Sequence, residues 1–170
     1  MFIHDTGKIC VYVATRCGHT SAQRYFNVEP YRQESQIDCW INTSSKRVLV
    51  LRNPYSRVTS GFLMLQRFDD DSFTDFEDNF IMHTKPYIAD CMGTESNEID
   101  FAYINFEKLI KYIPMDYTRT RQTHSYNSKQ LYIYNRHYSK EHLEQEYALY
   151  QSVLRNKKEI SVEEWKELTQ

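Results

Sequence analysis

The chain has 170 residues, which is enough for one domain with a single hydrophobic core. Its net charge of −2 and its mixture of acidic and basic residues exclude a general nucleic-acid-binding surface. Aromatic residues make up 15% of the chain, a share typical of a folded protein and not of a disordered one. We therefore expect one domain over residues 1–170.

No apolar run approaches the length of a membrane span, and no secretory leader pattern follows Met1. None of the four cysteines belongs to a C-x-x-C pair. These features predict a cytoplasmic protein with no membrane span, with free thiols and without a zinc site. The cysteines are Cys10, Cys17, Cys39 and Cys91.

The segment from Lys8 to Tyr25 predicts a strand, a short polar loop and a helix that begins at about residues 20–21. Ile9, Val11 and Val13 are β-branched and belong to a continuous apolar run, which indicates a buried strand. Loop and first-turn amides have no intrahelical acceptor, and the helix dipole favours an anion near them. The pattern is that of an anion-binding loop, although an ordinary strand-to-helix turn fits it equally well. Its residues are Arg16, Cys17, Gly18, His19, Thr20 and Ser21. It is not a Walker A loop, because no lysine follows the glycine.

The segment from Lys46 to Arg67 predicts a second strand and helix. Its apolar run, VLVL, is expected of a strand buried on both faces of a parallel sheet. Asn53 is a good N-cap, and Pro54 suits a first helical turn. Arg52 follows the strand directly, at the edge of the sheet where ligands bind in open α/β folds.

At these two segments the chain resembles sulfotransferases that use 3′-phosphoadenosine 5′-phosphosulfate (PAPS). The family's 3′-phosphate motif, R-[ND]-P-x-x-R-x-x-S-x-[YF], matches at six positions, and its 5′-phosphosulfate loop is similar to residues 15–21 at the glycine and the hydroxyls. The resemblance implies that Arg52 and Ser60 bind the 3′-phosphate. For Arg57, an ion pair that steadies the helix is favoured over a ligand contact. The matching residues are Arg52, Asn53, Pro54, Arg57, Ser60 and Phe62.

The family has a lysine where this chain has Arg16. Arginine stays charged and does not give up a proton, but its N–H groups stabilise developing negative charge. We therefore interpret Arg16 as an active replacement. Two histidines are candidates for the base that deprotonates the acceptor, namely His83, by resemblance to carbohydrate sulfotransferases, and His19 in the loop.

The remaining chain predicts further elements in order. Arg121 and Lys129 belong to a late basic and aromatic segment, which either covers the nucleotide, as in relatives, or is a solvated connector. The other predicted elements are a short strand at Ile37–Ile41, a helix over 73–82, a strand at Phe101–Ile104 before a helix capped by Asn105, a long helix from Ser139, and a last helix capped by Ser161.

Together these features predict an α/β domain with three α/β/α layers around a central parallel sheet, in the P-loop-like fold of sulfotransferases. The implied reaction transfers a sulfuryl group from PAPS to a hydroxyl or amine of a small-molecule or carbohydrate acceptor, without a metal. A non-catalytic module that binds the nucleotide is one alternative. A small-molecule kinase is another, although it requires the Walker lysine that the sequence lacks.

Overall fold

The computed structural model of the chain describes residues 1–28, 36–65, 77–78, 80–81, 84–94, 97–113, 135–136 and 140–170. Within these residues the named elements, in chain order, are β1 (Phe2–Asp5), β2 (Ile9–Val13), α1 (His19–Tyr25), α2 (Gln36–Asn42), β3 (Lys46–Leu51), α3 (Pro54–Leu65), α4 (Ile88–Met92), β4 (Gly93–Thr94), β5 (Asn97–Glu98), β6 (Ala102–Asn105), α5 (Phe106–Leu109), α6 (Lys140–Asn156) and α7 (Val162–Thr169).

A four-stranded sheet of order β1-β2-β3-β6 forms the centre of the protein. The β2–β3 and β3–β6 pairs are parallel, whereas β1 runs antiparallel to β2. Every residue of β2 and the last four of β3 are buried, as expected for strands covered on both faces. The predicted α/β class is confirmed, and the central sheet, which was predicted to be parallel, is parallel except at the edge strand β1.

The antiparallel edge strand β1 was not predicted. It pairs with β2 through a hairpin turn in which Gly7 has a φ of 84° and its amide donates to Asp5 Oδ1 at 2.8 Å. Phe2 and Ile3 are buried, so two apolar residues are enough to attach this strand to the core. Two adjacent apolar residues in a strand of four are too short a pattern to predict a strand from the sequence.

The predicted strand at Ile37–Ile41 is wrong, because these residues belong to α2. Ile37, Trp40 and Ile41 have the i, i+3, i+4 spacing of a helical face. Trp40 is fully buried, and its indole N–H donates to the Cys91 carbonyl at 3.2 Å. Packing of this one large side chain supports the helix.

The other predicted boundaries agree with the structure where it describes them. Asn53, Asn105 and Ser161 cap α3, α5 and α7 through side-chain oxygens that accept backbone N–H groups. Residues 77–78 and 80–81 are helical, and the rest of the predicted 73–82 helix lies outside the described residues, as do Pro30 and Ser139. Among the described helices, none has the length and apolarity needed to cross a membrane.

Candidate functional site

The two sequence motifs meet at one edge of the sheet. Val13, the last residue of β2, pairs in register with Val50 of the parallel neighbour β3. The loop after β2 and Arg52 after β3 therefore both leave the sheet at its carboxyl edge. This is the placement that the sequence predicted.

The loop after β2 is a tight turn into α1. The Cys17 amide donates to the Ala14 carbonyl at 3.0 Å, and the first helical hydrogen bond runs from Ala22 N to Gly18 O at 2.9 Å. Amides before Ala22 therefore have no acceptor within the helix. Arg16 and Gly18 have φ angles of 65° and 84°, both in the left-handed region. Such a conformation costs a non-glycine residue about 1 kcal/mol or more, which makes Arg16 a position of backbone strain at the loop.

Arg52 contacts this loop directly. Its side chain is 8% exposed, and Nη1 donates to the Arg16 carbonyl at 2.5 Å. Its Nε lies 3.5 Å from Glu107 Oε1, and its guanidinium carbon lies 4.4 Å from the centroid of the Phe106 ring. Arg52 thus bridges the loop and the start of α5. Glu107 is therefore an ion-pair partner of Arg52.

Tyr87 contacts both the loop after β2 and the residue that follows β3. Its hydroxyl oxygen accepts the Arg52 amide at 3.3 Å and the Cys17 thiol at 3.9 Å. Burial raises the pKa of the Tyr87 hydroxyl and that of the Cys17 thiol, so both groups stay neutral. Cys17 is therefore a packing residue of the loop. No sequence pattern distinguishes Tyr87 from the other tyrosines of the chain.

A buried ion pair between Arg57 and Glu146 holds the backbone of Tyr87 in place. Arg57 Nη2 lies 2.9 Å from Glu146 Oε2, and the two side chains are 1% and 2% exposed. The same guanidinium donates to the Thr84 carbonyl at 2.9 Å, and Glu146 Oε1 accepts the Tyr87 amide at 3.2 Å. Burial raises the pKa of Glu146, and the charge and hydrogen bonds of Arg57 oppose this rise. The expectation that Arg57 forms an ion pair is confirmed.

The other predicted site residues lie beside Arg16 in the loop, on α3, or outside the described residues. In the loop, His19 Nε2 lies 3.5 Å from Thr20 Oγ1; Thr20 is exposed, and Ser21 is half-buried. Ser60 is half-buried on α3, roughly 9 Å along the helix axis from Pro54. The predicted residues His83, Arg121 and Lys129 lie outside the described residues.

A cavity of about 710 Å³ opens beside the loop. Its walls come mainly from apolar and aromatic side chains, and Lys85 and Asp90 are its charged residues. Thr15 belongs to both the loop and the cavity wall, so a molecule held there would lie next to any anion bound by the loop. Other lining residues are Tyr12, Ile37, Ile41, Pro86 and Tyr87.

No protein-family model matches this chain, and neither the curated proteins nor the solved structures contain a match. Function is therefore inferred from the residues and from their geometry.

Proposed function

We propose that this protein is a sulfotransferase that transfers a sulfuryl group from PAPS to an acceptor hydroxyl or amine. The observation that carries the proposal is the hydrogen bond from Arg52 Nη1 to the Arg16 carbonyl at 2.5 Å. It joins the segment that resembles the 3′-phosphate motif to the loop that resembles the 5′-phosphosulfate loop. We further propose that the α/β architecture is the three-layer, P-loop-like fold of sulfotransferases.

In this proposal Arg52 and Ser60 bind the 3′-phosphate of the nucleotide. The Arg52 guanidinium is paired with Glu107, whose side chain is 58% exposed and can therefore move aside. A phosphate brings more charge than a carboxylate and matches the guanidinium fork, so it would replace Glu107 as the partner. The loop amides and Arg16 would hold the 5′-phosphosulfate.

The reaction breaks the bond between sulfur and the oxygen that bridges it to phosphorus, and forms a bond between sulfur and the acceptor atom. Negative charge grows on the bridging oxygen, where Arg16 and the loop amides would stabilise it. The acceptor loses a proton to a base, for which His19, the first residue of α1, is one candidate. His83 remains the second candidate. No step requires a metal.

The cavity beside the loop is the proposed acceptor site. Because its lining is mainly apolar, it favours an acceptor whose hydroxyl or amine is carried on an apolar body. A carbohydrate would leave most of its hydroxyls without partners along these walls. The carbohydrate expectation from the sequence therefore has less support than an apolar acceptor.

A non-catalytic nucleotide-binding module is the second candidate. Arg16 in the place of the family's lysine favours it, because arginine does not donate a proton to the leaving phosphate. A small-molecule kinase has less support, since no lysine of the Walker type follows Gly18.

Arg16 can be tested by its effect on turnover. We expect the wild type to transfer radiolabelled sulfate from PAPS to members of a panel of apolar alcohols, phenols and amines. Arg16→Ala should lower the rate about 100-fold to 1000-fold, the loss typical of removing one group that stabilises transition-state charge. Arg16→Lys should keep most of the wild-type transfer rate. Tight PAPS binding without transfer to any acceptor would favour the non-catalytic module.

Glu107 can be tested by its effect on anion affinity. Glu107→Gln should raise the affinity for 3′-phosphoadenosine 5′-phosphate (PAP) several-fold, because the nucleotide no longer competes with a carboxylate for Arg52. Glu159→Gln is a matched control, since Glu159 pairs with Lys108 at 2.8 Å on the surface. Calorimetric titration of both variants measures the change. An unaltered or weaker affinity in Glu107→Gln would mean that phosphate does not replace Glu107.

A further inference from the structure

Three potential metal ligands converge away from the nucleotide site, at the opposite end of the sheet. A carboxylate oxygen of Asp5 and the sulfurs of Cys10 and Cys39 all lie within 4.8 Å of one another. Asp5 ends β1, Cys10 lies near the start of β2, and Cys39 lies in α2. Cys10 is fully buried and Cys39 is exposed, so the group is reached from solvent on the side of α2.

The Asp5 carboxylate is fixed in place and still has room for a ligand. Oδ1 accepts the Gly7 amide at 2.8 Å and the Ser45 hydroxyl at 2.7 Å, and Oδ2 accepts the Thr43 hydroxyl. Two carboxylate oxygens offer about four acceptor positions, so one position on Oδ2 is left beyond these three bonds. Hydrogen-bonded carboxylates of this kind are typical metal ligands.

The charges around the group suit a divalent cation. Two thiolates and one carboxylate carry three negative charges, which a divalent cation and one arginine would neutralise. Arg47 supplies that arginine: it pairs with Cys10 in the register of β2 and β3, and its guanidinium donates to the carbonyls of Trp40, Ile41 and Thr43. Those three carbonyls hold the arginine in place, so its charge persists beside the sulfurs.

We propose that Asp5, Cys10 and Cys39 bind a thiophilic divalent cation of the Zn²⁺ class, with a water in the fourth position. Two sulfurs and one oxygen are ligands that Zn²⁺ accepts in tetrahedral sites. A zinc site was not expected from the sequence, because none of the cysteines belongs to a C-x-x-C pair. These ligands are separated by 5 and 29 positions, and only the pairing of β1 with β2 and the packing of α2 bring them together.

The cation would connect β1, β2 and α2. Ile37 and Ile41 of the same helix line the cavity beside the loop, so metal binding would also steady one wall of the proposed acceptor site. The metal site itself does not depend on the proposed function.

Cadmium titration tests this site, because thiolate coordination to Cd²⁺ produces an ultraviolet charge-transfer absorption. In a phosphine reductant, the wild-type protein should bind one Cd²⁺ per chain, and Zn²⁺ should displace it. Cys39→Ser should lower the affinity by at least about tenfold, a loss already typical of removing an outer-shell partner. Asp5→Asn should also weaken binding while the absorption persists.

Cys91→Ala is the matched control, since Cys91 is a buried thiol outside the group. It should bind Cd²⁺ like the wild type. Cys39 is exposed, so its replacement should leave the fold intact, and the circular dichroism spectrum of each variant checks this. Absence of the absorption in folded wild-type protein, or equal affinity in Cys39→Ser, would overturn the proposal. An affinity unchanged in Asp5→Asn would remove the carboxylate from the site.

Discussion

Replacing Arg57 with alanine is expected to destabilise the folded protein by about 3–5 kcal/mol, because it leaves the Glu146 carboxylate buried without its cation. The same change removes the hydrogen bond to the Thr84 carbonyl and the stacking of the guanidinium 5.1 Å from the Tyr87 ring centroid. For a protein of this length the loss corresponds to a fall in melting temperature of roughly 6–20 °C. Thermal and urea unfolding of the two proteins measure it.

Two further variants separate the ion pair from general effects of charge removal. Arg57→Met combined with Glu146→Leu should be much more stable than Arg57→Ala alone, since no charge is then left unpaired. Lys108→Ala removes a cation from the exposed pair with Glu159 and should shift the melting temperature far less. If Arg57→Ala melts like Lys108→Ala, the buried pair does not support the fold in the way described.

The second large effect is expected at Arg52. Arg52→Ala should weaken PAP binding by about 2–5 kcal/mol, which is roughly 30-fold or more, because a buried hydrogen-bonded cation facing phosphate is lost. Binding of adenosine 5′-phosphate, which lacks the 3′-phosphate, should change much less. Calorimetric titration with both nucleotides isolates the contribution of the 3′-phosphate.

Arg52 also holds the Arg16 carbonyl, so displacement of the loop is a second route by which the alanine variant loses affinity. Arg52→Lys keeps the charge and should recover part of the affinity, whereas a purely structural role of the guanidinium fork would leave both variants equally weak. Arg155→Ala removes an exposed cation from α6 and should bind PAP like the wild type. An equal loss for both nucleotides in Arg52→Ala would contradict a specific contact with the 3′-phosphate.

The strands and caps that position the site could be predicted from local sequence. The continuous apolar runs of β2 and β3 indicate strands buried on both faces, and side chains such as Asn53 indicate where helices begin. The strand predicted at Ile37–Ile41 was wrong because five residues are too few to tell the period of a strand from that of a helix. Burial of the Trp40 side chain favours the helix. Tertiary packing, not local preference, selected the helix.

Long-range partners could not be predicted in the same way. Glu146 is one of several acidic residues near the start of α6, and no local pattern names its partner. In the structure it is buried with Arg57, a residue 89 positions earlier in the chain. Tyr87 is one of 14 tyrosines, and its contacts with Cys17 and Arg52 come from the meeting of three separate segments. The sequence did offer one indication that Glu146 is buried. It lies on the same face of α6 as three apolar residues that are buried in the structure, Leu143, Tyr150 and Val153.

Titration of the wild-type protein with PAP tests the central claim most directly, with ATP–magnesium as the competing nucleotide. The proposed site predicts binding in the micromolar range for PAP and none for ATP–magnesium, because Arg52 and the loop recognise the two phosphates of PAP together. Preference for ATP–magnesium would instead favour a kinase. Absence of PAP binding by folded protein would contradict the sulfotransferase proposal and the nucleotide-binding module alike.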